Sequence, residues 1–311
     1  LATKNKYHFY VALCCFITAS CQNNSTANNN TLSTEATIVD SVENINSVPD
    51  TLSYHYAWLN KYNYKEALCN NIPVPSGFKR TELTQHSFGD WLRHLPLNLT
   101  NNKVYLHSGE EKYNQSAQFA VINIDIGNKD LQQCADAVMR LRAEYLFAAN
   151  KTNQIQFNYT NGTPIPFKKW SEGFYPKLQG NKVVWVTSSK NNTSYNSFRK
   201  YMDNIFMYAG TASLSKELVE VNLSNIKIGD VFIKEGFPGH AVIVIDMAEN
   251  PITKEKVFML AQSYMPAQNI HVLKNSNNNS LSPWYSVTDC EIEISTPEWT
   301  FTPNQLMRFN D

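Results

Sequence analysis

The sequence predicts an α+β domain with a mostly antiparallel sheet and one long buried helix. Segments rich in β-branched and aromatic residues occur together with segments of helical periodicity, and the two kinds do not alternate strictly. Strict alternation would favour a parallel sheet instead. Near the C-terminus, successive strand-like segments are separated only by short turns, which is typical of an antiparallel meander.

The long helix is predicted over residues 131–149, where apolar residues recur at helical spacing behind Asp130, a suitable N-cap. Arg140, Arg142 and Glu144 on this helix predict a solvated ion-pair face, with binding of an acidic substrate as the alternative. Two more helices and seven strands complete the prediction. The helices span 88–95 and 197–208; the strands span 103–107, 118–125, 154–159, 183–187, 230–233, 240–247 and 257–264.

The first 21 residues have the pattern of an export signal. Lys4 and Lys6 precede an apolar run at 9–19 that is too short to span a bilayer, and Ala19-Ser20 lead directly to Cys21. This ending resembles the lipobox of bacterial lipoproteins, which implies lipid attachment at Cys21. An uncleaved anchor and an ordinary secretory signal are the alternatives.

Composition divides the remaining chain into two parts. Residues 21–52 are rich in Asn, Ser and Thr and lack aromatic residues, so they predict a disordered tether. Aromatic residues become frequent from Tyr54 onwards. We therefore predict a lipoprotein signal peptide at 1–20, a tether at 21–52 and a single α+β domain at 53–311, anchored by lipid to a Gram-negative membrane in the periplasm or cell envelope.

Charge and cysteine content exclude several classes of protein. The 27 basic residues balance 27 acidic residues, so no overall positive field attracts nucleic acid. The six cysteines form no CxxC pair, and no close spacing of metal ligands is present. The sequence therefore predicts no metal and no cofactor, although Cys134, His240 and His271 have the residue types of a metal centre.

Three residues are candidates for nucleophilic catalysis. Cys134 lies in the first turns of the long helix, where the helix dipole favours a thiolate. His240 begins a strand after a Gly-Pro-Gly turn and is a suitable general base. Gln262 or Ser263 on the returning strand is expected to orient the imidazole; an uncertain register of one residue separates them, and we favour Gln262.

The order of a cysteine helix, a histidine strand and a polar strand resembles the papain-like superfamily. The segments GDVFI and PGHAVIVID, at 229–233 and 238–246, are similar to those of its bacterial cell-wall branch, the endopeptidases and amidases that cut peptidoglycan stem peptides. The resemblance implies a papain-like cysteine hydrolase with Cys134, His240 and Gln262 as catalytic residues. The sequence QQCADAV around Cys134 departs from the usual pattern, and 106 residues separate Cys134 from His240.

Several blocks also resemble an uncharacterised family of bacterial lipoproteins known only as a domain of unknown function. They include GDWLRHLPL, QQCADAVMRLRAEYL, FPGHAVIVID and AQSYMPAQNIHVL. That resemblance implies no activity.

Two functions are compatible with the sequence. The first is a membrane-anchored thiol hydrolase that acts on amide bonds of cell-wall peptide. The second is a non-catalytic envelope lipoprotein that binds glycan or a protein partner, in which Cys134 is a small core residue. The substrate-binding residues are unknown from sequence, and Cys69 and Cys290 are candidates for a disulfide in an oxidising periplasm.

Overall fold

The computed structural model describes residues 54–310. The predicted signal peptide at 1–20, the lipidation site Cys21 and the tether at 21–52 lie outside the described residues, so these assignments stay predictions. All described residues belong to one compact unit. Within them, no helix combines the length and the apolar composition needed to cross a membrane.

Six α-helices and fifteen strands make up the described part of the chain. The helices are α1 (Leu68–Asn71), α2 (Phe88–Arg93), α3 (Cys134–Ala148), α4 (Phe167–Ser171), α5 (Tyr195–Tyr208) and α6 (Thr211–Glu217). The strands are β1 (Lys79–Arg80), β2 (Gln118–Val121), β3 (Gln156–Asn158), β4 (Pro164–Pro166), β5 (Phe174–Gln179), β6 (Lys182–Thr187), β7 (Leu218–Glu220), β8 (Val231–Lys234), β9 (His240–Glu249), β10 (Lys256–Gln262), β11 (His271–Leu273), β12 (Trp284–Ser286), β13 (Ile294–Ser295), β14 (Thr300–Phe301) and β15 (Leu306–Phe309).

Nine strands form the main sheet. Its central path runs β2-β11-β10-β9-β8-β15-β7, with β1 also paired to β9 and β12 paired to β10. Every pairing between these strands is antiparallel. The predicted mixture of helices with an antiparallel sheet is therefore confirmed, and the predicted meander corresponds to β8, β9 and β10.

The two faces of the sheet bury different clusters. Because side chains alternate along a strand, Ala241 and Ile243 of β9 face one side, where they join the cluster that contains the apolar residues of α3. Val242 and Val244 face the other side, where they pack in a smaller cluster with Phe301. Thus α3 covers one face of β9, and the β13–β14 hairpin covers the other.

The predicted strand at 103–107 is wrong. This segment is a loop with isolated bridges at Tyr105 and Leu106. The Leu106 amide donates to the carbonyl of Glu110 at 2.8 Å, so the chain turns back on itself through Gly109, whose φ of 88° lies in the left-handed region. Strand propensity was overridden by this tight local turn.

The start of the long helix also differs from the prediction. Helix α3 begins at Cys134 instead of residue 131, with Gln133 as the N-cap residue. The Gln133 amide donates to Asp136 Oδ2 at 3.1 Å. The predicted cap, Asp130, instead accepts a hydrogen bond from the amide of Ala267 at 2.7 Å. Cys134 is therefore the first residue of the helix.

The charged face predicted for α3 is wrong as well. Arg140 and Glu144 are both 0 % exposed and pair at 2.7 Å. The guanidinium of Arg140 also donates to Gln132 Oε1 at 2.6 Å and to Asp125 Oδ2 at 2.9 Å. Arg142 is buried too, with its guanidinium over the ring of Phe88. The guanidinium of Arg140 therefore has hydrogen-bond partners in the core, as a buried ion needs, whereas Glu144 Oε2 is enclosed without a partner among the described residues.

Candidate active site

The turn before β9 brings His240 to the end of the sheet. Gly236 has a φ of 114°, which favours glycine. A Cβ on Gly239 would lie 2.7 Å from the Gly236 carbonyl oxygen and 2.8 Å from that of Lys234. Only glycine fits so close to the backbone at that position. The two glycines thus hold the turn from which His240 enters the strand.

A β-bulge determines which polar residue lies opposite this end of β9. Near the hairpin turn, Met259 pairs with Asp246, whereas after the bulge between Met259 and Leu260, Ala261 pairs with Ile243. Continuing the shifted register puts Gln262 opposite residue 242, on the same face as His240. Without the bulge, that position would belong to Ser263.

His240 and Gln262 are joined by a direct hydrogen bond. The His240 Nε2–H donates to Gln262 Oε1 at 2.8 Å, and both side chains are buried. The other ring nitrogen, Nδ1, forms no hydrogen bond to any residue within 54–310, and it keeps some exposed surface. The imidazole is therefore oriented on one side and has an open nitrogen on the other.

Aromatic rings surround the imidazole. The ring centroids of Tyr264, Trp299 and Phe301 lie 4.8, 5.2 and 5.9 Å from that of His240. Burial lowers the pKa of His240 to about 4, against a smaller opposing effect of its bond to Gln262. His240 is consequently neutral near pH 7, which is the protonation state that a general base needs.

Cys134 lies at the positive end of α3, with its thiol near backbone amides. The N–H groups of Ala135 and Ala241 both act to lower its pKa. Burial outweighs them and raises the pKa to about 11, with a further contribution from Asp136. The expectation that the helix start would favour a thiolate is therefore wrong for the free protein, because this thiol is only 7 % exposed.

Cys134 and His240 approach the same short stretch of β9. The thiol lies by the amide of Ala241, the residue directly after His240. The two side chains are not hydrogen-bonded to each other in the described part of the chain, and His240 contacts residues of the face opposite α3. The structure thus joins His240 to Gln262 by a hydrogen bond and brings the Cys134 thiol close to Ala241, the residue after His240.

Ser263, the alternative to Gln262, lies on the helix side of the sheet. Its hydroxyl donates to the carbonyl oxygens of Gln132 and Gln268 at 3.0 and 2.9 Å. Gln132 is two residues before Cys134, so Ser263 ties β10 to the segment that leads into α3.

Four polar residues join the site without having been predicted there, and the sequence singled out His271 only as a residue of metal-binding type. Glu298 accepts a hydrogen bond from Gln262 Nε2 at 2.8 Å and pairs with Lys112 at 2.5 Å. Asn114 Nδ2 also donates to Glu298, at 3.0 Å, and His271 Nε2 lies 3.4 Å from Gln262 Nε2. They come from loops and strands that no local motif links, although the position of His271 in β11 opposite Gln262 follows once the strand order is known.

One cleft lies away from this site. It has a volume of about 670 Å³ and is lined by residues that include Phe88, Arg142, Gly229, Met247 and Arg308. Met247 belongs to the far end of β9, so this cleft is separate from His240. Across residues 54–310, no three side chains of metal-binding type come together to hold an ion.

The remaining described thiols are free. Cys69 and Cys290, whose pairing the sequence left open, form no disulfide in this structure. Cys290 is buried in the smaller apolar cluster, whereas Cys69 is partly exposed on α1.

One protein family matches most of the chain. The model of the family described as Domain of unknown function (4846) matches residues 68–308. The chain belongs to that family. The family's matched segment includes Cys134, His240, Gln262 and Glu298, and the resemblance to a domain of unknown function is confirmed. No curated protein and no solved structure matches the chain.

Proposed function

We propose that this domain is a papain-like thiol hydrolase that cleaves amide bonds, with Cys134 as nucleophile, His240 as general base and Gln262 as the residue that orients the imidazole. The observation that carries the proposal is the 2.8 Å hydrogen bond from His240 Nε2 to Gln262 Oε1. This bond leaves the other ring nitrogen, Nδ1, without a partner among the described residues. The Cys134 thiol lies near the amide of Ala241, the residue directly after His240. A cysteine at the start of a helix and a histidine at the start of a strand supply the two reacting groups.

The resting pair is neutral in this mechanism. Burial raises the pKa of Cys134 to about 11 and lowers that of His240 to about 4, so a preformed thiolate–imidazolium pair is unfavourable. Proton transfer therefore accompanies attack on the substrate. Because His240 faces the side of the sheet opposite α3, the proposal requires Sγ and Nδ1 to meet at the start of β9 when substrate is bound; catalytic hydrogen bonds often tighten only in the complex.

Acylation forms one bond and breaks another. The Cys134 Sγ attacks the amide carbon while its proton passes to His240 Nδ1, and the carbonyl oxygen becomes an oxyanion. Backbone N–H groups in the first turn of α3 are suited to stabilise that oxyanion, because such groups have no acceptor within the helix. The C–N bond then breaks, the electron pair leaves with the amine nitrogen, and His240 returns the proton to it. The acyl group remains on Cys134 as a thioester.

Water completes the cycle. His240 removes a proton from the water molecule as its oxygen attacks the thioester carbon, and the C–S bond breaks. Sγ recovers a proton from His240, and the second product leaves as a carboxylic acid. Water is the only co-reactant, in accord with the absence of any predicted cofactor.

Cell-wall peptide is the substrate class that we propose. The segments around β8 and β9 resemble those of peptidoglycan endopeptidases and amidases, and the pattern that ends at Cys21 is typical of an exported lipoprotein. Lipid attachment at Cys21 would hold the domain to a Gram-negative membrane in the periplasm or cell envelope, with that membrane as its partner. The half-buried rings of Tyr264 and Trp299 at the imidazole suit contact with a peptide or glycan strand.

Digestion of peptidoglycan tests the activity. Purified Gram-negative peptidoglycan is incubated with the full protein, and mass spectrometry detects new amino termini in the released peptides. Cys134→Ala and His240→Ala should abolish release, whereas Cys69→Ala should leave it unchanged because Cys69 lies on α1. Release that persists in Cys134→Ala would refute the proposal.

A second candidate is a non-catalytic envelope lipoprotein that binds glycan or a protein partner. The 7 % exposure of Cys134 and its raised pKa favour this function, since both are typical of a structural cysteine. It predicts that the wild type sediments with peptidoglycan without cleaving it, and that Cys134→Ala sediments equally well.

A further inference from the structure

We propose that Glu298 is a positioning residue that, together with Lys112 and His271, fixes the amide of Gln262 and thereby determines which nitrogen of His240 carries the proton. The catalytic consequence rests on the proposed function. The hydrogen-bond arrangement itself does not.

The two ends of the Gln262 amide face different partners. Oε1 accepts the hydrogen bond from His240 Nε2 at 2.8 Å. Nε2 donates to Glu298 Oε2 at 2.8 Å and lies 3.4 Å from His271 Nε2. An amide could in principle turn over and exchange its oxygen and nitrogen, so the neighbours on the Nε2 side decide its orientation.

Both neighbours on that side require a donor. An ionised carboxylate such as Glu298 only accepts hydrogen bonds. His271 Nδ1 lies 2.9 Å from the carbonyl oxygen of Asn269, so Nδ1 carries the proton and Nε2 has a bare lone pair. A reversed Gln262 would point its oxygen at a carboxylate and at this lone pair, which is unfavourable in a buried site.

Besides Gln262, two further donors hold Glu298. Lys112 Nζ pairs with Oε2 at 2.5 Å, and Asn114 Nδ2 donates to Oε1 at 3.0 Å. The side chains of Lys112 and Glu298 are 9 % and 13 % exposed, so solvent screens this pair little. The turn between β13 and β14 also fixes Glu298, since the amide of the next residue, Trp299, donates to Thr296 Oγ1 at 3.1 Å.

The fixed amide selects one tautomer of His240. With Oε1 towards the ring, His240 must carry its proton on Nε2 to donate, and Nδ1 keeps a lone pair that can accept the thiol proton. With the amide reversed, Nε2 would have to accept, the proton would move to Nδ1, and the base would be lost. A wrong tautomer at the corresponding position of a serine protease triad lowers kcat by about 10⁴.

The tautomer of His240 is measured by ¹⁵N NMR of the full protein near pH 7, through the couplings of the ring nitrogens to the carbon-bound protons. The wild type should be almost entirely protonated on Nε2. Glu298→Gln can donate or accept, so it should populate the Nδ1–H form substantially. The matched control Glu293→Gln removes a charge from an exposed position of the same segment and should leave the tautomer unchanged.

A double variant tests the mechanism by rescue. Gln262→Glu combined with Glu298→Gln puts an obligate acceptor opposite His240 and a donor behind it, so the Nε2–H form should return. A wild-type His240 protonated on Nδ1 would overturn the inference even if every variant misfolded. So would a folded Glu298→Gln variant with the wild-type tautomer.

Activity separates this inference from the proposed function. In peptidoglycan digestion, Glu298→Gln should lower kcat by about tenfold or more with little change in KM, and the double variant should restore part of it. If the tautomer responds as expected but the wild type cleaves nothing, the proposed function fails and the positioning role remains. If the wild type cleaves peptidoglycan and the tautomer does not respond, only the positioning role fails.

Discussion

Alkylation of Cys134 by iodoacetamide should be slow at neutral pH in the free protein. The thiolate is the reactive form, and burial raises the pKa of this thiol from 9.0 to about 11. The alkylation rate is measured as a function of pH in the wild type and in the His240→Ala variant. If His240 is neutral in the resting protein, its removal should change the alkylation rate little.

The expected rate follows from the pKa. At pH 7, a thiol with a pKa of 9 is about 1 % thiolate, and one with a pKa of about 11 is roughly 0.01 % thiolate, a hundredfold less. A more basic thiolate is intrinsically more nucleophilic. With a Brønsted slope of about 0.4–0.5, the rise in pKa increases the reaction rate of the thiolate itself by roughly six- to tenfold, which offsets part of the loss. Cys134 should therefore react at least about tenfold more slowly than a model thiol, and burial slows it further.

The assay quantifies the alkylated Cys134 peptide by mass spectrometry between pH 6 and 11. The rate should rise about tenfold per pH unit up to a pKa near 11. Cys69 and Cys290 are followed in the same samples as internal references. A rapid, pH-independent reaction near pH 7 that collapses in His240→Ala would refute the neutral pair and indicate a preformed thiolate–imidazolium pair.

Three further predictions concern the anchor, the core and acid stability. Cys21→Ser should abolish incorporation of labelled palmitate in a Gram-negative host; continued labelling would contradict lipidation at Cys21. Arg140→Met, measured by urea denaturation, should cost about 3–5 kcal/mol because Glu144 loses its buried partner, whereas Lys129→Met at an exposed pair should cost about 1 kcal/mol or less; equal losses would contradict the buried network. Burial lowers the pKa values of His240 and His271 to about 4, so the unfolded chain binds protons at these positions first as the pH falls. Stability should therefore fall between pH 6.5 and 4.5 by about 2 kcal/mol for each histidine. Glu217, with its pKa raised by burial to about 7, acts in the opposite direction, so the test is a shallower pH slope in His271→Gln than in the wild type.

Local patterns were sufficient to predict the strands that carry the site. The strands predicted at 240–247 and 257–264 correspond to β9 and β10, because continuous apolar runs bounded by Gly, Pro and Asn are strong strand signals. The pairing of these strands left two candidates for the residue beside His240. The bulge after Met259 decides in favour of Gln262, and nothing in the sequence of β10 indicates where a bulge occurs.

Long-range contacts account for the features that sequence reasoning missed. Glu298 and Lys112 are 186 residues apart, and each lies in a polar segment typical of a surface loop. Arg140 and Glu144 have the i,i+4 spacing of an exposed ion pair, and only the packing of the segment around Asp125 and of Tyr195 reveals that they are buried. The start of α3 moved to Cys134 because Asp130 is engaged by the amide of Ala267, more than one hundred residues away.

Trapping of an acyl intermediate tests the central claim most directly. Peptidoglycan is incubated with the full protein, with and without hydroxylamine, and mass spectrometry measures any hydroxamate and carboxylic acid products. A Cys134 thioester predicts that hydroxamate forms at the expense of the acid, and that both products vanish in Cys134→Ala and in His240→Ala. The account would be contradicted if the wild type formed neither product, or if Cys134→Ala still formed them.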